Sequence, residues 1–183
     1  MENWLDGEGA RFLERSGLKP GDRILDFGCG AGHYAIPAAQ VAGREGRVYA
    51  LDKDEQVLEQ LREKARKSGS LNIEAGHTSG GTKIDFPGSF FDVVLAFDML
   101  HYLEARRELY GEFHRVLKGE GCLVVYPKHR EDDHPLSNLA GTSLEEIIEE
   151  IREAGFSLRI QRIERLIHDE GYNLGVVLVF SPR

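Results

Sequence analysis

Two aspartates and a glycine cluster are the residues of this chain best suited by type and spacing to chemistry. Gly28-Cys29-Gly30-Ala31-Gly32 follows the apolar run Arg23 to Phe27 (RILDF) and precedes a helix-period segment from His33 to Ala42. Glycines there allow tight turns and close approach of a ligand to the main chain. In an open α/β sheet the loop outside a strand's carboxyl end is also where ligands bind. The spacing is GxGxG, whereas the dinucleotide fingerprint GxGxxG needs a glycine where His33 stands. Asp26 lies just before the loop, and Asp52 ends the next apolar run, Arg47 to Leu51. A carboxylate at the second strand's end can accept two hydrogen bonds from a ribose diol. A buried Asp26 would repel a pyrophosphate and suit an ammonium or a sulfonium. The bland alternatives are a turn that serves packing only, a helix cap and a satisfied buried carboxylate. Asp54 is available as the cap, which releases Asp52 from that duty.

The elements that must position these groups alternate between strand-like runs and helix-period segments, as in βαβ units with a parallel sheet. In the helix after Asp54, Val57, Leu58, Leu61 and Ala65 share one face while Glu55, Glu59, Arg62 and Lys67 stay wet. Asn72 to Ala75 is a weak third strand, and Phe91 to Phe97 (FDVVLAF) is the strongest buried-strand signal. A helix follows over about 104–117, and Gly119 to Gly121 reads as a turn into a fifth strand, Cys122 to Tyr126. Thr142 or Ser143 with Glu146 forms a capping box that opens a further helix, which Gly155 ends. Two last strands, Leu158 to Ile167 and Asn173 to Phe180, are linked by HDEGY, too short for a crossover helix, so they must be antiparallel. The expectation is five β-α repeats and a terminal hairpin. That makes a doubly wound, mostly parallel seven-stranded sheet, α/β in class, in one domain over residues 1–183.

Composition removes several functions. The chain has 183 residues and a net charge of −8, with 41% hydrophobic and 30% charged residues. Such a chain buries about 70% of its unfolded surface without disulfides or a structural metal. The acidic balance lacks the basic footprint of a nucleic-acid binder. No run of about 18 apolar residues suggests a membrane span, and residues 1–9 do not read as a secretory signal. Cys29 and Cys122, each in a strand-like apolar setting, have no zinc-ligand spacing. They read as reduced thiols of a cytoplasmic protein, and no metal site is expected.

Four segments then carry a resemblance. LDFGCGAGHYAIPAA (Leu25 to Ala39), VYALDKDEQVLEQL (Val48 to Leu61), SFFDVVLAFDMLHYL (Ser89 to Leu103) and EFHRVLKGEGCLVVYP (Glu112 to Pro127) resemble, in order, the motifs of class I S-adenosylmethionine-dependent methyltransferases. The group most similar is the small proteins related to ubiquinone and menaquinone biosynthesis methyltransferases. The match runs over roughly residues 18–156, and EAGF (Glu153 to Phe156) also agrees. The resemblance implies a Rossmann-like methyltransferase fold, S-adenosylmethionine as cofactor and S-adenosylhomocysteine as product. It implies that Gly28, Cys29 and Gly30 cradle the methionine part, with Asp26 oriented toward its amino group. Asp52 would hold the ribose hydroxyls, Lys53 would lay its stem beside adenine, and Phe97 would offer its carbonyl to the ammonium. After the third strand the family usually carries an Asp for the adenine amino group. This chain has Gly76-His77-Thr78-Ser79-Gly80-Gly81, so Thr78 or Ser79, or Asp85 from a longer loop, takes that place.

Methyl transfer works mainly through orientation and desolvation, so no obligatory catalytic residue follows. A base helps only if the acceptor loses a proton. Candidates at the strand ends are Asp98, His101, Tyr102, Tyr34, Lys128 and His129, with His101 equally a packing or pocket-wall residue. Residues 1–19, with Trp4, Leu5, Phe12 and Leu13, form either a lid over the cofactor or a helix packed on the sheet edge. Residues 127–141 form a loop whose Lys128, His129 and Arg130 either receive an anionic substrate or pair with Glu131, Asp132 and Asp133. The acceptor expected is a small molecule, enclosed with help from a second copy or a partner protein if it is large. The competing expectations are a methyltransferase-fold protein that binds cofactor or partner without catalysis and, more distantly, a nicotinamide oxidoreductase.

Overall fold

Seven strands lie in one sheet: β1 (Arg23–Phe27), β2 (Arg47–Asp52), β3 (Ile73–His77), β4 (Phe91–Phe97), β5 (Leu117–Tyr126), β6 (Phe156–His168) and β7 (Gly171–Pro182). The computed structural model describes residues 3–169 and 171–183. Met1, Glu2 and Glu170, which fall in the expected N-terminal segment and hairpin link, lie outside the described residues. The strand order is β3-β2-β1-β4-β5-β7-β6. Neighbours from β3 to β5 are parallel, and β7 runs antiparallel to both β5 and β6. One reversed strand is therefore what the short hairpin link produces.

Strand periodicity sorts the apolar side chains onto two faces. Val93, Leu95 and Phe97 of β4 join Val124 and Tyr126 of β5 under α1 (Gly9–Arg15), α2 (Ala35–Ala42) and α3 (Glu55–Ser68). Val94 and Ala96 join Leu123 and Val125 under α4 (Arg106–Val116) and α5 (Leu144–Glu153). A sheet with both faces covered has continuous apolar strands, which is why FDVVLAF was so plain a signal.

The helix ends follow local chemistry. The Gln56 N–H donates to Asp54 Oδ1 at 2.8 Å to open α3, and Gly69 closes it in the left-handed conformation. Ser143 and Glu146 exchange reciprocal bonds at the start of α5. Such a cap contributes about 1 kcal/mol.

Two expectations are corrected. Residues 78–90, between β3 and β4, contain no helix, so the described residues form four βα units and not five. That connection is held by the Arg115 guanidinium, which donates to the carbonyls of Ile84 (2.7 Å) and Phe86 (2.8 Å). Nor is Gly119 to Gly121 a turn before a new strand, because β5 already runs from Leu117. Its pairing with β4 jumps from Phe91↔Leu117 to Val93↔Cys122, a bulge on β5. A Cβ at Gly121 would lie 2.7 Å from the Asp92 carbonyl oxygen, so the glycine serves a close backbone approach inside the strand.

β1 lies between β2 and β4, so the loops after β1 and β4 diverge to opposite faces and leave a crevice between them. Gly32, at φ +87°, lets the first loop press onto α3, where an added Cβ would lie 2.3 Å from Leu61 Cδ1. Gly30, at φ +50°, has open space at that point. Gly32→Ala should therefore cost about 2 kcal/mol or more in urea denaturation, and Gly30→Ala clearly less. Equal losses would refute the contact.

Candidate functional site

The crevice is a cavity of about 460 Å³ at the carboxyl ends of β1, β2 and β4, within the range of roughly 300–1,000 Å³ usual for small-molecule pockets. Its floor is the glycine loop, held in shape by β2. The Gly28 and Cys29 N–H groups both donate to the Leu51 carbonyl, at 2.8 and 3.0 Å. The Gly30 N–H donates to Asp52 Oδ2 at 2.8 Å, while Asp52 Oδ1 accepts from the Asp54 N–H at 3.0 Å. Asp52 is thus oriented by two backbone donors and still lines the cavity. Each carboxylate oxygen keeps acceptor capacity for a ligand.

Asp26 lies beneath the loop, only 2% exposed, and its Oδ2 has no hydrogen-bond partner among the described residues. Burial, reinforced by the charge of Asp52 and opposed by the Ala35 N–H, pushes its carboxyl up to about 7. A buried acid in this state favours a cation nearby and is costly to ionise without one. An ammonium or sulfonium group therefore fits the donor set. The Cys29 thiol is also pushed up by burial and by the same two carboxylates, so it stays protonated. Cys29 belongs to the loop, as the glycine cluster requires, and only Cys122 has the strand-like setting expected of both; neither is in a disulfide.

An aromatic stack forms the far wall. Tyr34 lies on Phe97 at 4.1 Å between centroids, 9° from parallel. The Tyr34 hydroxyl donates to the Ile167 carbonyl at 2.7 Å, tying the end of β6 to the loop. Behind it, the Trp4 indole donates to the His33 carbonyl at 2.7 Å and packs edge-on to Tyr34, while Phe12 packs against Phe97. The N-terminal segment thus braces this wall, although none of its described residues lines the cavity.

At the opposite end Lys53 and Thr78 line the cavity, as does Gly80, which packs against the Lys53 stem. The Thr78 N–H donates to the Asp52 carbonyl at 2.9 Å. Ser79 and Asp85 are exposed and lie outside the wall. Of the expected cofactor residues, Gly28, Cys29, Gly30, Asp52, Lys53, Thr78 and Phe97 are brought together in the wall, with Asp26 just behind it.

Asp98 and Tyr102 line the rim beyond β4. Asp98 takes a left-handed backbone, φ +52°. Its Oδ2 accepts from His168 Nδ1, and its Oδ1 is 3.9 Å from His101 Nδ1 and 3.7 Å from His129 Nε2. Burial raises the Asp98 carboxyl, against the lowering effect of His168. His101 is 2% exposed, and burial, then the neighbouring histidines, push its imidazole down to about 4. His168 escaped the sequence reading. It sits 70 residues from Asp98 in what reads as hairpin linker, and only the β6–β7 pairing carries it to the rim.

The other charges of residues 127–141 face elsewhere. Lys128, 1% exposed, pairs with Asp133 at 2.5 Å, and Arg130, also buried, pairs with Asp132 and Asp133. This is the paired alternative, with both cations buried.

The family model described as a methyltransferase domain matches residues 24–121. The chain is 30% identical over 131 residues to a ubiquinone/menaquinone biosynthesis C-methyltransferase of Vibrio cholerae, a match covering 71% of this chain and 50% of the relative. It is 34% identical over 117 residues to a sterol 24-C-methyltransferase of Eremothecium gossypii, covering 63% and 30%. The chain thus spans half or less of the length of these curated relatives. A crystal structure of a SAM-dependent methyltransferase from Aquifex aeolicus superposes with a TM-score of 0.74 at 27% identity, covering 94% of this chain and 89% of that one.

The buried acid has a measurable signature. With its folded pKa raised, Asp26 contributes most stability when protonated, below the ordinary carboxylate pKa of about 4, and that contribution is lost as pH rises through about 7. Asp26→Asn should raise the thermal midpoint at pH 8 by roughly 3–8 °C, and the gain should shrink toward pH 5. A gain independent of pH would overturn the assignment.

Proposed function

Since the chain belongs to the methyltransferase domain family, we propose that it transfers a methyl group from S-adenosylmethionine to a small-molecule acceptor. The observation that carries this reading is the pair of carboxylates around the glycine loop. Asp52 is aimed into the cavity by the Gly30 and Asp54 N–H groups, and Asp26 waits beneath the loop with an unpartnered oxygen. That set suits a ligand with a ribose diol at one point and positive charge at another, and it opposes a pyrophosphate.

In this reading Asp52 holds the ribose hydroxyls, Lys53 and Thr78 border the adenine, and the Phe97 carbonyl with Asp26 receives the methionine ammonium. When bound, the cofactor supplies an electrophilic methyl on a sulfonium. The protein's share is to orient the acceptor and exclude water. Tyr34 and Phe97, with Met99, Leu103 and Ile167 on the cavity wall, supply an apolar surface for that. An acceptor with an apolar body fits these walls, and the names of the Vibrio and Eremothecium relatives refer to quinones and a sterol. The reading includes a cytoplasmic setting, supported by two free thiols. Among the described residues no helix is long and apolar enough to cross a membrane.

Isothermal titration with S-adenosylmethionine, S-adenosylhomocysteine and NAD tests the cofactor. The first two should bind and NAD should not, and Asp52→Ala should weaken binding about tenfold or more, as for a lost charge-assisted bond. Binding of NAD alone would sink the proposal. Transfer of label from methyl-labelled cofactor across a panel of quinols, phenols and sterols should then yield product. Cofactor binding without transfer to any acceptor would favour a silent binder.

A further inference from the structure

At the rim of the cavity, Asp98, His101 and His129 bring one potential ligand atom each within 4.8 Å of the others. His129 Nδ1 is 2.9 Å from the His134 carbonyl oxygen. A carbonyl only accepts, so Nδ1 carries the proton, and in the neutral ring Nε2 is a bare acceptor. That Nε2 faces Asp98 Oδ1, also an acceptor, at 3.7 Å. His101 Nδ1 approaches the same oxygen at 3.9 Å. Asp98 Oδ1 and both His101 nitrogens are buried with no hydrogen-bond partner among the described residues. Unpartnered buried polar atoms are costly, and acceptor facing acceptor adds repulsion. A cation between them removes both penalties.

We propose that Asp98, His101 and His129 bind a divalent transition-metal ion of the zinc or cobalt class. One ligand atom from each of the three residues lies within 4.8 Å of the others. Closing to metal–ligand bonds of about 2.0–2.2 Å needs only small side-chain rotations. Two imidazoles and one carboxylate suit borderline metals and leave coordination positions open, unlike the all-oxygen sets that magnesium and calcium prefer.

The surrounding contacts are those a metal site uses. The His134 carbonyl fixes the His129 tautomer, and His168 Nδ1 holds the outer oxygen of Asp98. His168 is therefore a positioning residue. The three ligands come from the end of β4, the short helical turn Leu100–Tyr102 and the loop after β5, so the metal would clip together the two loops that flank the rim. Asp98 itself lines the cavity, which places an open coordination position beside the acceptor. Resting on the methyl-transfer reading, the ion would act as a Lewis acid on an acceptor hydroxyl, whose proton passes to water; the oxygen or a conjugated carbon then bonds to the methyl as the sulfonium S–C bond breaks and its electron pair leaves with S-adenosylhomocysteine. Metal binding itself does not depend on that reading.

The test uses untagged full-length protein stripped with chelator and titrated with Zn²⁺ by calorimetry and with Co²⁺ by visible absorption. One equivalent should bind, with the ligand-field spectrum of a low-symmetry nitrogen and oxygen site. His129→Gln and Asp98→Asn should abolish the spectrum, and His168→Ala should weaken affinity roughly 10- to 100-fold. Circular dichroism checks that each variant is folded, and His129→Gln, on a partly exposed loop residue, is the substitution best placed to keep the fold. Asp52→Ala should bind metal as the parent does while losing cofactor affinity, so the metal site and the methyl-transfer reading fail separately. No stoichiometric binding, or binding unchanged in the His129 and Asp98 variants, would overturn the proposal in favour of a proton shared within the cluster.

Discussion

The site depends on one interaction, the docking of the glycine loop against the end of β2. Three consecutive amides of the loop, Gly28, Cys29 and Gly30, are directed at Leu51 and Asp52. Left-handed backbones at Gly28 and Gly30 make this possible. Because the bonds are internal, the loop holds its shape without a ligand, and Asp52 is aimed before anything binds. Preorganisation of this kind lowers the ordering cost of binding. It also sets up the electrostatics, since burying Asp26 under a loop already supplied with one carboxylate raises its pKa and leaves an oxygen in want of a cation.

A second constraint runs from the N-terminal segment through the aromatic stack to the hairpin. Trp4 fixes His33, Tyr34 fixes Ile167, and Phe97 lies between Phe12 and Tyr34. The same stack therefore positions the end of β4, from which Asp98 projects, and the end of β6, which carries His168. The cavity and the histidine cluster share Asp98.

Much of the architecture was readable from local pattern. Both faces of the sheet are buried, so β1, β2 and β4 are continuous apolar runs. The caps at Asp54 and Ser143 are chemical signals that need no tertiary context. The errors came where glycine has two meanings. Gly119 and Gly121 read as a turn because a turn is their usual use, whereas here Gly121 permits a close approach to the Asp92 carbonyl inside a bulged strand. The glycines of residues 78–90 did mark a loop, and only the count of five β-α repeats was at odds with it.

The sequence alone determined the strands, the helix caps, the reversed last strand, and the loop with its two carboxylates, because each rests on neighbours along the chain or on a periodicity of two or 3.6 residues. Only the tertiary structure decided which polar groups meet. It turned Lys128 and Arg130 inward onto Asp132 and Asp133, left Ser79 and Asp85 outside the wall, and brought His168 to Asp98 across 70 residues. The His168–Asp98 pairing follows from strand order and hairpin register, and the inward turn of Lys128 and Arg130 from the burial that makes an unpartnered nitrogen or carboxylate expensive. None of these is a property of any one segment.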